Sequence, residues 1–160
     1  MLALGIDPGT AITGYGLVRE LPDGGLLMVD YGVITTSKMD TQPARLVQLY
    51  EKINQILAQH HPDTSAVEKL FFARNVTTAI DVGQARGVVV LALAQSGITI
   101  SEYAPKEVKQ AVTGYGSADK KQMQEMVKMI LNLEKIPKPD DAADALAIAI
   151  THINSRRYAI

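Results

Sequence analysis

The sequence predicts an α/β fold, with one five-stranded mixed sheet of three antiparallel strands and then parallel additions, flanked by helices on both faces. Two observations carry this reading. Three strand-like segments come first, separated only by turn clusters, as an antiparallel meander requires. Helical and strand patterns then alternate, the signature of βαβ crossovers that extend a sheet in parallel.

The elements follow in order. "LALGI" at 2–6 is almost continuously apolar, as a strand buried on both faces should be, and it ends at the turn cluster Asp7-Pro8-Gly9-Thr10. "TGYGLVRE" and "LLMVDYGVI" are the next two strands, joined by a hairpin-type turn at Pro22-Asp23-Gly24-Gly25. From Thr41, the apolar residues Leu46, Leu49, Tyr50, Ile53, Ile56 and Leu57 recur at helical spacing. "TSAVE" at 64–68 is a short strand that delivers Glu68 near its end. A helix over 77–95 follows, then a strand in "GITISEY" and a short helix opened by Pro105. Ser117 is expected to cap a further helix with the stripe Met123, Met126, Val127 and Ile130. A last helix runs from about Asp140 to Asn154. No repeat, linker or low-complexity stretch divides the chain, so residues 1–160 are expected to form a single domain.

Composition narrows the function classes. Hydrophobic residues make up 47% and charged residues 21%, which is ordinary for a globular chain large enough to bury a core. Cysteine is absent, so disulfides and thiolate zinc sites are excluded, and His60, His61 and His152 are too scattered to suggest an imidazole site. Apolar runs such as Val88 to Ala94 are short for a bilayer span, and the N-terminus opens on a strand pattern rather than a basic signal region. A cytoplasmic protein with no membrane partner is expected. The net charge of −1 leaves nucleic acid open as a partner, because a local basic patch binds phosphates whatever the average. Lys106, Lys109, Lys120, Lys121 and Lys128 are close in sequence, and Lys69, Arg74 and Arg86 form a second scatter.

The last helix raises the sharpest question. Its body is Ala, Leu and Ile, yet Asp140, Asp141 and Asp144 crowd its start. Asp140, directly after Pro139, suits a capping role. Asp141 and Asp144 are three residues apart and project from nearly one face, where they repel. Capping plus solvated surface accounts for this stretch taken alone. Other acids make a cation the stronger reading. Asp7 ends the first strand and Glu68 the fourth, so adjacent parallel strands would bring both to one sheet edge, where ligands of α/β folds collect. The last helix packed there would complete a cluster of four carboxylates, untenable without protons or cations. All-oxygen sites of this kind suit Mg²⁺, with Mn²⁺ an expected substitute. Two such ions, roughly 3.5–4 Å apart, activate water and stabilise the leaving oxygen of a phosphodiester. A rival reading takes "DPGTAITG" as the phosphate loop of the actin, heat-shock and sugar-kinase group, but those proteins pair two such domains in far longer chains.

Four motifs, in order, resemble the RuvC family of bacterial Holliday junction resolvases: "GIDPGTAITGYGLV", "VEKLFFARN…GQARGV", "VKQAVTGYGSADK" and "DDAADALAIAITH". Together they cover nearly the whole chain. The resemblance implies a ribonuclease H-like fold, a homodimer, and Mg²⁺-dependent paired nicking of four-way junction DNA that leaves 5′-phosphate and 3′-hydroxyl ends. It also implies association with the RuvA–RuvB branch-migration complex. Asp7, Glu68, Asp141 and Asp144 match the family's catalytic, metal-binding acids, and Asp140 lies outside the motif. Lys109 and Lys120 match lysines placed beside the scissile phosphate. Phe71 matches an aromatic used against unpaired bases, with Phe72, Arg74 and Lys121 as further DNA contacts.

Structural readings stand beside these. An isolated Phe is more often core, but Phe71-Phe72 is followed by polar, turn-like residues, which favours at least one ring at the surface. Lys120 and Lys121 near a helix start oppose the dipole preference, which suggests another task such as phosphate contact. Met123, Met126 and Tyr50 are read as core. In the helix over 77–95, Ala79, Val82, Ala85, Val89 and Ala92 share a face with Gly83 and Gly87 nearby. The resemblance places the dimer interface in this region, although packing within one chain explains the same pattern. Two other classes remain: a junction-binding protein without activity, which would not need four intact acids, and a different ribonuclease H-like nuclease.

Overall fold

A computed structural model describes residues 1–70 and 76–158. Its sheet has five strands in the order β3-β2-β1-β4-β5, formed by β1 (Leu2–Asp7), β2 (Ile12–Glu20), β3 (Leu26–Thr35), β4 (Thr64–Glu68) and β5 (Thr99–Tyr103). The first three are antiparallel, and β4 and β5 add in parallel on the other side of β1. The central strand is β1, which explains its apolar run: Leu2, Ala3, Leu4 and Ile6 are buried on both faces.

The helices divide between the faces, as expected. One core gathers Leu4, Ile6 and Leu17 from the sheet with Leu49, Ile53 and Leu57 of α1 (Gln42–His60) and Ala85, Val89, Ala92 and Leu93 of α2 (Val76–Gln95). The opposite core joins Ala3, Val18 and Ala66 to α3 (Pro105–Thr113), α4 (Lys120–Ile130) and α5 (Asp140–Tyr158). Helix α5 lies between the sheet and α3 and α4, so Ala142, Ala145, Leu146, Ala149 and Ile153 are fully buried.

Several local readings need correction. Helix α4 is capped by Asp119, whose carboxylate accepts from the Gln122 N–H at 2.8 Å while Gln122 returns a bond to the Asp119 N–H at 2.9 Å; Ser117 lies too far upstream. Helix α5 continues beyond Asn154 to Tyr158 because its basic end is anchored. Arg157 donates to Glu20 at 2.6 Å and to the Gly24 carbonyl at 2.7 Å. Tyr50, read as core, packs at its margin, half-buried, with its hydroxyl donating to Gln95 at 2.5 Å. Helix α2 as a whole is long and apolar enough to cross a bilayer, which no single uninterrupted run is. It carries Asp81 and Arg86, however, and its Ala85, Val89, Ala92 and Leu93 are spent on the core.

Candidate active site

Parallel pairing of β1 with β4 runs from Ala3 opposite Thr64 to Ile6 opposite Val67. The next step along both strands brings Asp7 beside Glu68 at one sheet edge. Helix α5 reaches that edge because the sheet beneath it lacks side chains. A Cβ on Gly5 would lie 2.2 Å from the Ala145 carbonyl oxygen, one on Gly14 1.9 Å from that of Asp141, and one on Gly16 2.8 Å from the Leu146 nitrogen. Gly14 is the register partner of Asp7, and Gly16 that of Gly5. Three glycines under an alanine-rich helix therefore let two backbones touch, which sets the first turn of α5 against Asp7. Sequence reasoning missed this glycine seat, although "GYG" facing "DAADALA" was its trace.

The electrostatics record the convergence. Burial, then the charges of Glu68, Asp144 and Asp141, push the Asp7 carboxyl up to about 8, and the hydrogen bond between Asp7 and Glu68 favours the proton on Asp7. Glu68 is raised by burial and by Asp144, with Lys109 pulling the other way. Burial raises Asp144 as well, an effect that Lys120 opposes and Asp141 and Asp140 reinforce. All four predicted acids thus act on one another, as like charges at close quarters must. Among the described residues, no three carboxyl or imidazole groups are already arranged to hold one metal ion. The Asp7–Glu68 proton instead relieves part of the repulsion. The donor chemistry fits a hard cation in place of that proton.

The lysines separate. Lys109 and Lys120 line one open cleft with Glu68 and Asp144, walled by Pro105, Val108, Met123 and Ala147. Lys120 also pairs with Asp140 at 3.1 Å, which raises the lysine. Lys121 faces a different groove with Thr113, Tyr115 and Gln122, so it does not join this cleft. Asp140 sits in the first turn of α5, where its charge complements the dipole as expected, and its carboxylate accepts from Lys138 at 3.1 Å and Gln124 at 2.9 Å as well as from Lys120. Those contacts, Lys138 first, hold it down at about 2. Arg86 is a support that the sequence did not reveal; it donates to the Glu68 carbonyl at 3.4 Å and pairs with Glu102. In the "DPGT" turn, the Gly9 N–H donates to the Thr13 hydroxyl at 3.2 Å and the Thr10 hydroxyl to the Asp81 carbonyl at 2.8 Å. These internal bonds speak against the nucleotide-cradle reading. Phe71, Phe72 and Arg74 lie outside the described residues.

The family model described as crossover junction endodeoxyribonuclease RuvC matches residues 3–152. The chain belongs to the RuvC family. A crossover junction endodeoxyribonuclease RuvC of Chloroflexus aggregans is 61% identical over 153 residues, covering 95% of this chain and 92% of the relative. Among solved structures, Thermus thermophilus RuvC superposes with a TM-score of 0.91 at 36% identity, over 98% of this chain and 96% of that one. The same protein in complex with a Holliday junction substrate gives 0.91 at 33% identity, over 99% and 97%. RuvC proteins are metal-dependent nucleases, and the ribonuclease H-like fold expected from the sequence is the fold found here.

Proposed function

We propose that this RuvC-family chain resolves four-way DNA junctions by paired symmetric nicks in recombination and repair, leaving 5′-phosphate and 3′-hydroxyl ends. The observation that supports this best is the convergence of Asp7, Glu68, Asp141 and Asp144, from β1, β4 and α5, into one mutually repelling set. We assign these acids to two Mg²⁺ ions, with Mn²⁺ as a substitute. Bound there, the ions supply an activated water and charge neutralisation at the phosphate. Asp7, Glu68, Asp141 and Asp144 would hold them as carboxylates.

Lys109 and Lys120 border the same cleft and hold the scissile phosphate, offsetting charge that grows on its oxygens during in-line attack. Asp140 and Gln124 orient Lys120. Phe71 is assigned to the unpaired bases at the junction centre, with Phe72 and Arg74 as neighbouring contacts and Lys121 as a peripheral phosphate contact. The enzyme works as a homodimer, since two symmetric cuts need two sites. In support, α2 leaves Ile80 57% and Leu91 51% exposed, with open space over Gly87. We place it in the cytoplasm, cutting junctions presented by RuvA–RuvB.

A junction-cleavage assay with Mg²⁺, run beside linear duplex and RNA–DNA hybrid, tests this reading. Symmetric nicks in the junction alone, stopped by a chelator, are expected. Preferential cutting of the hybrid would favour a different ribonuclease H-like nuclease, and binding without cutting would favour an inactive junction-binding protein.

A further inference from the structure

The acid cleft does not end at Glu68. A second recess shares Glu68 with it and is lined by Pro8, Lys69 and Val82, and Val82 also borders a broader groove on the far side of the catalytic loop. That groove is lined by Gly9, Thr10, Ile12, Lys38, Arg45 and Asp81. We propose that it is a second phosphate-binding station, in which Lys38 and Arg45 hold the backbone of the DNA strand whose scissile phosphate lies in the acid cleft. This inference rests on the nuclease reading above.

Three observations carry it. First, Arg45 sits in the opening turns of α1, where the helix dipole disfavours a cation. No acidic residue occupies that first turn to compensate. Thr41 already caps the Ala44 N–H and Pro43 has none, so an incoming anion would be held by the guanidinium, with the dipole favouring its charge. Second, Arg45 is held in place rather than free to sweep. Its Nε donates to the Thr36 hydroxyl at 2.9 Å, Thr36 donates to the Thr10 carbonyl at 2.6 Å, and the Thr10 hydroxyl donates to the Asp81 carbonyl at 2.8 Å. The chain of bonds ties Arg45 to the loop that follows Asp7 and to α2. A guanidinium fixed through Nε still presents its terminal NH₂ groups, the fork that suits a phosphate. Third, neither cation is neutralised by an ion pair: among the described residues, no salt bridge involves Arg45 or Lys38. Asp81 offsets one of the two positive charges, leaving the groove net positive. The recess between them shares Glu68 and Pro105 with the acid cleft and Val82 with the groove, so one strand could lie along all three.

The test is junction binding by fluorescence anisotropy in chelator across a salt series. Each phosphate contact contributes about 0.7–0.9 to the slope of log affinity against log salt. Lys38→Gln, on an exposed side chain that cannot harm folding, is expected to lower that slope by about 1, and Lys38→Gln with Arg45→Gln by about 2. Arg45→Lys keeps the charge and should keep the slope, yet weaken affinity through loss of the fork. An unchanged slope in the double variant, with the wild type binding and cutting normally, would overturn the proposal. So would a shift of the variants in sedimentation from dimer to monomer at unchanged slope, which would assign the groove to a second copy of the chain. Failure of the wild type itself to bind the junction would instead remove the nuclease reading on which the proposal stands.

Discussion

Replacing Asp7 with Asn should make the metal-free protein more stable while ending cleavage. In the folded chain the Asp7 carboxyl is pushed from 3.8 up to about 8, first by burial and then by its acidic neighbours. Between those values the folded state holds a proton that the unfolded chain has released. Stability therefore falls as pH rises through that window. The interval from 3.8 to pH 7, at 1.36 kcal/mol per pH unit, sets a ceiling of roughly 4 kcal/mol. Solvent reaching this half-buried group, and the proton it shares with Glu68, reduce the expected gain to about 1–3 kcal/mol. Asn carries no charge, and its amide can still donate to Glu68. Urea unfolding in chelator at pH 5, 7 and 8.5 would read the effect. The wild type should lose stability with pH more steeply than the variant, and Mg²⁺ should restore the wild type alone. Parallel pH profiles, or an Asp7→Asn protein less stable than wild type at pH 8.5 in chelator, would refute the reasoning.

Gly14→Ala would drive a methyl into the Asp141 carbonyl at 1.9 Å, costing about 1–3 kcal/mol and lifting the first turn of α5 from Asp7. Cleavage should fall further than junction affinity, and unchanged melting with unchanged cleavage would dismiss the glycine seat. Phe71→Ala should slow turnover while leaving the melting temperature near that of wild type, whereas a large loss of thermal stability with normal cleavage would make Phe71 a core residue. His152, buried against Thr64 at 2.7 Å and Tyr103 at 3.0 Å, is held down at about 4 by burial and then by Arg156. As pH falls below 6.5 the unfolded chain takes up this proton first, so stability is lost toward pH 4. His152→Gln should flatten that part of the profile relative to wild type, and an identical profile would show that another group governs it.

Much of this architecture was legible because strong, redundant signals wrote it. The apolar run at 2–6 before a turn cluster read as a doubly buried strand, and the alternation after Thr41 as parallel crossovers, so Asp7 and Glu68 would share one edge if their strands paired, which they do. The acids of α5 were conspicuous because their repulsion is anomalous in an apolar helix. What held α5 there was not legible. Close backbone approach leaves only the absence of side chains as its mark, and Gly5, Gly14 and Gly16 also read as ordinary strand glycines. The partners of Asp140 were not legible for a related reason. Its position suited a cap, but three donors from α4 and the preceding loop compete for its carboxylate, and no local pattern encodes them. Lys120 and Lys121 are neighbours in sequence but face different grooves, because consecutive residues of a helix diverge by about 100°.

The central claim is that acids from two strands and one helix serve a single metal-dependent reaction. Single-turnover cleavage of a synthetic four-way junction by Asp7→Asn, Glu68→Gln, Asp141→Asn and Asp144→Asn, with junction affinity measured in parallel, tests it most directly. Each variant should bind the junction as well as wild type and cut it at least about 100-fold more slowly at any Mg²⁺ concentration. Wild-type cleavage by any one of the four would contradict the account.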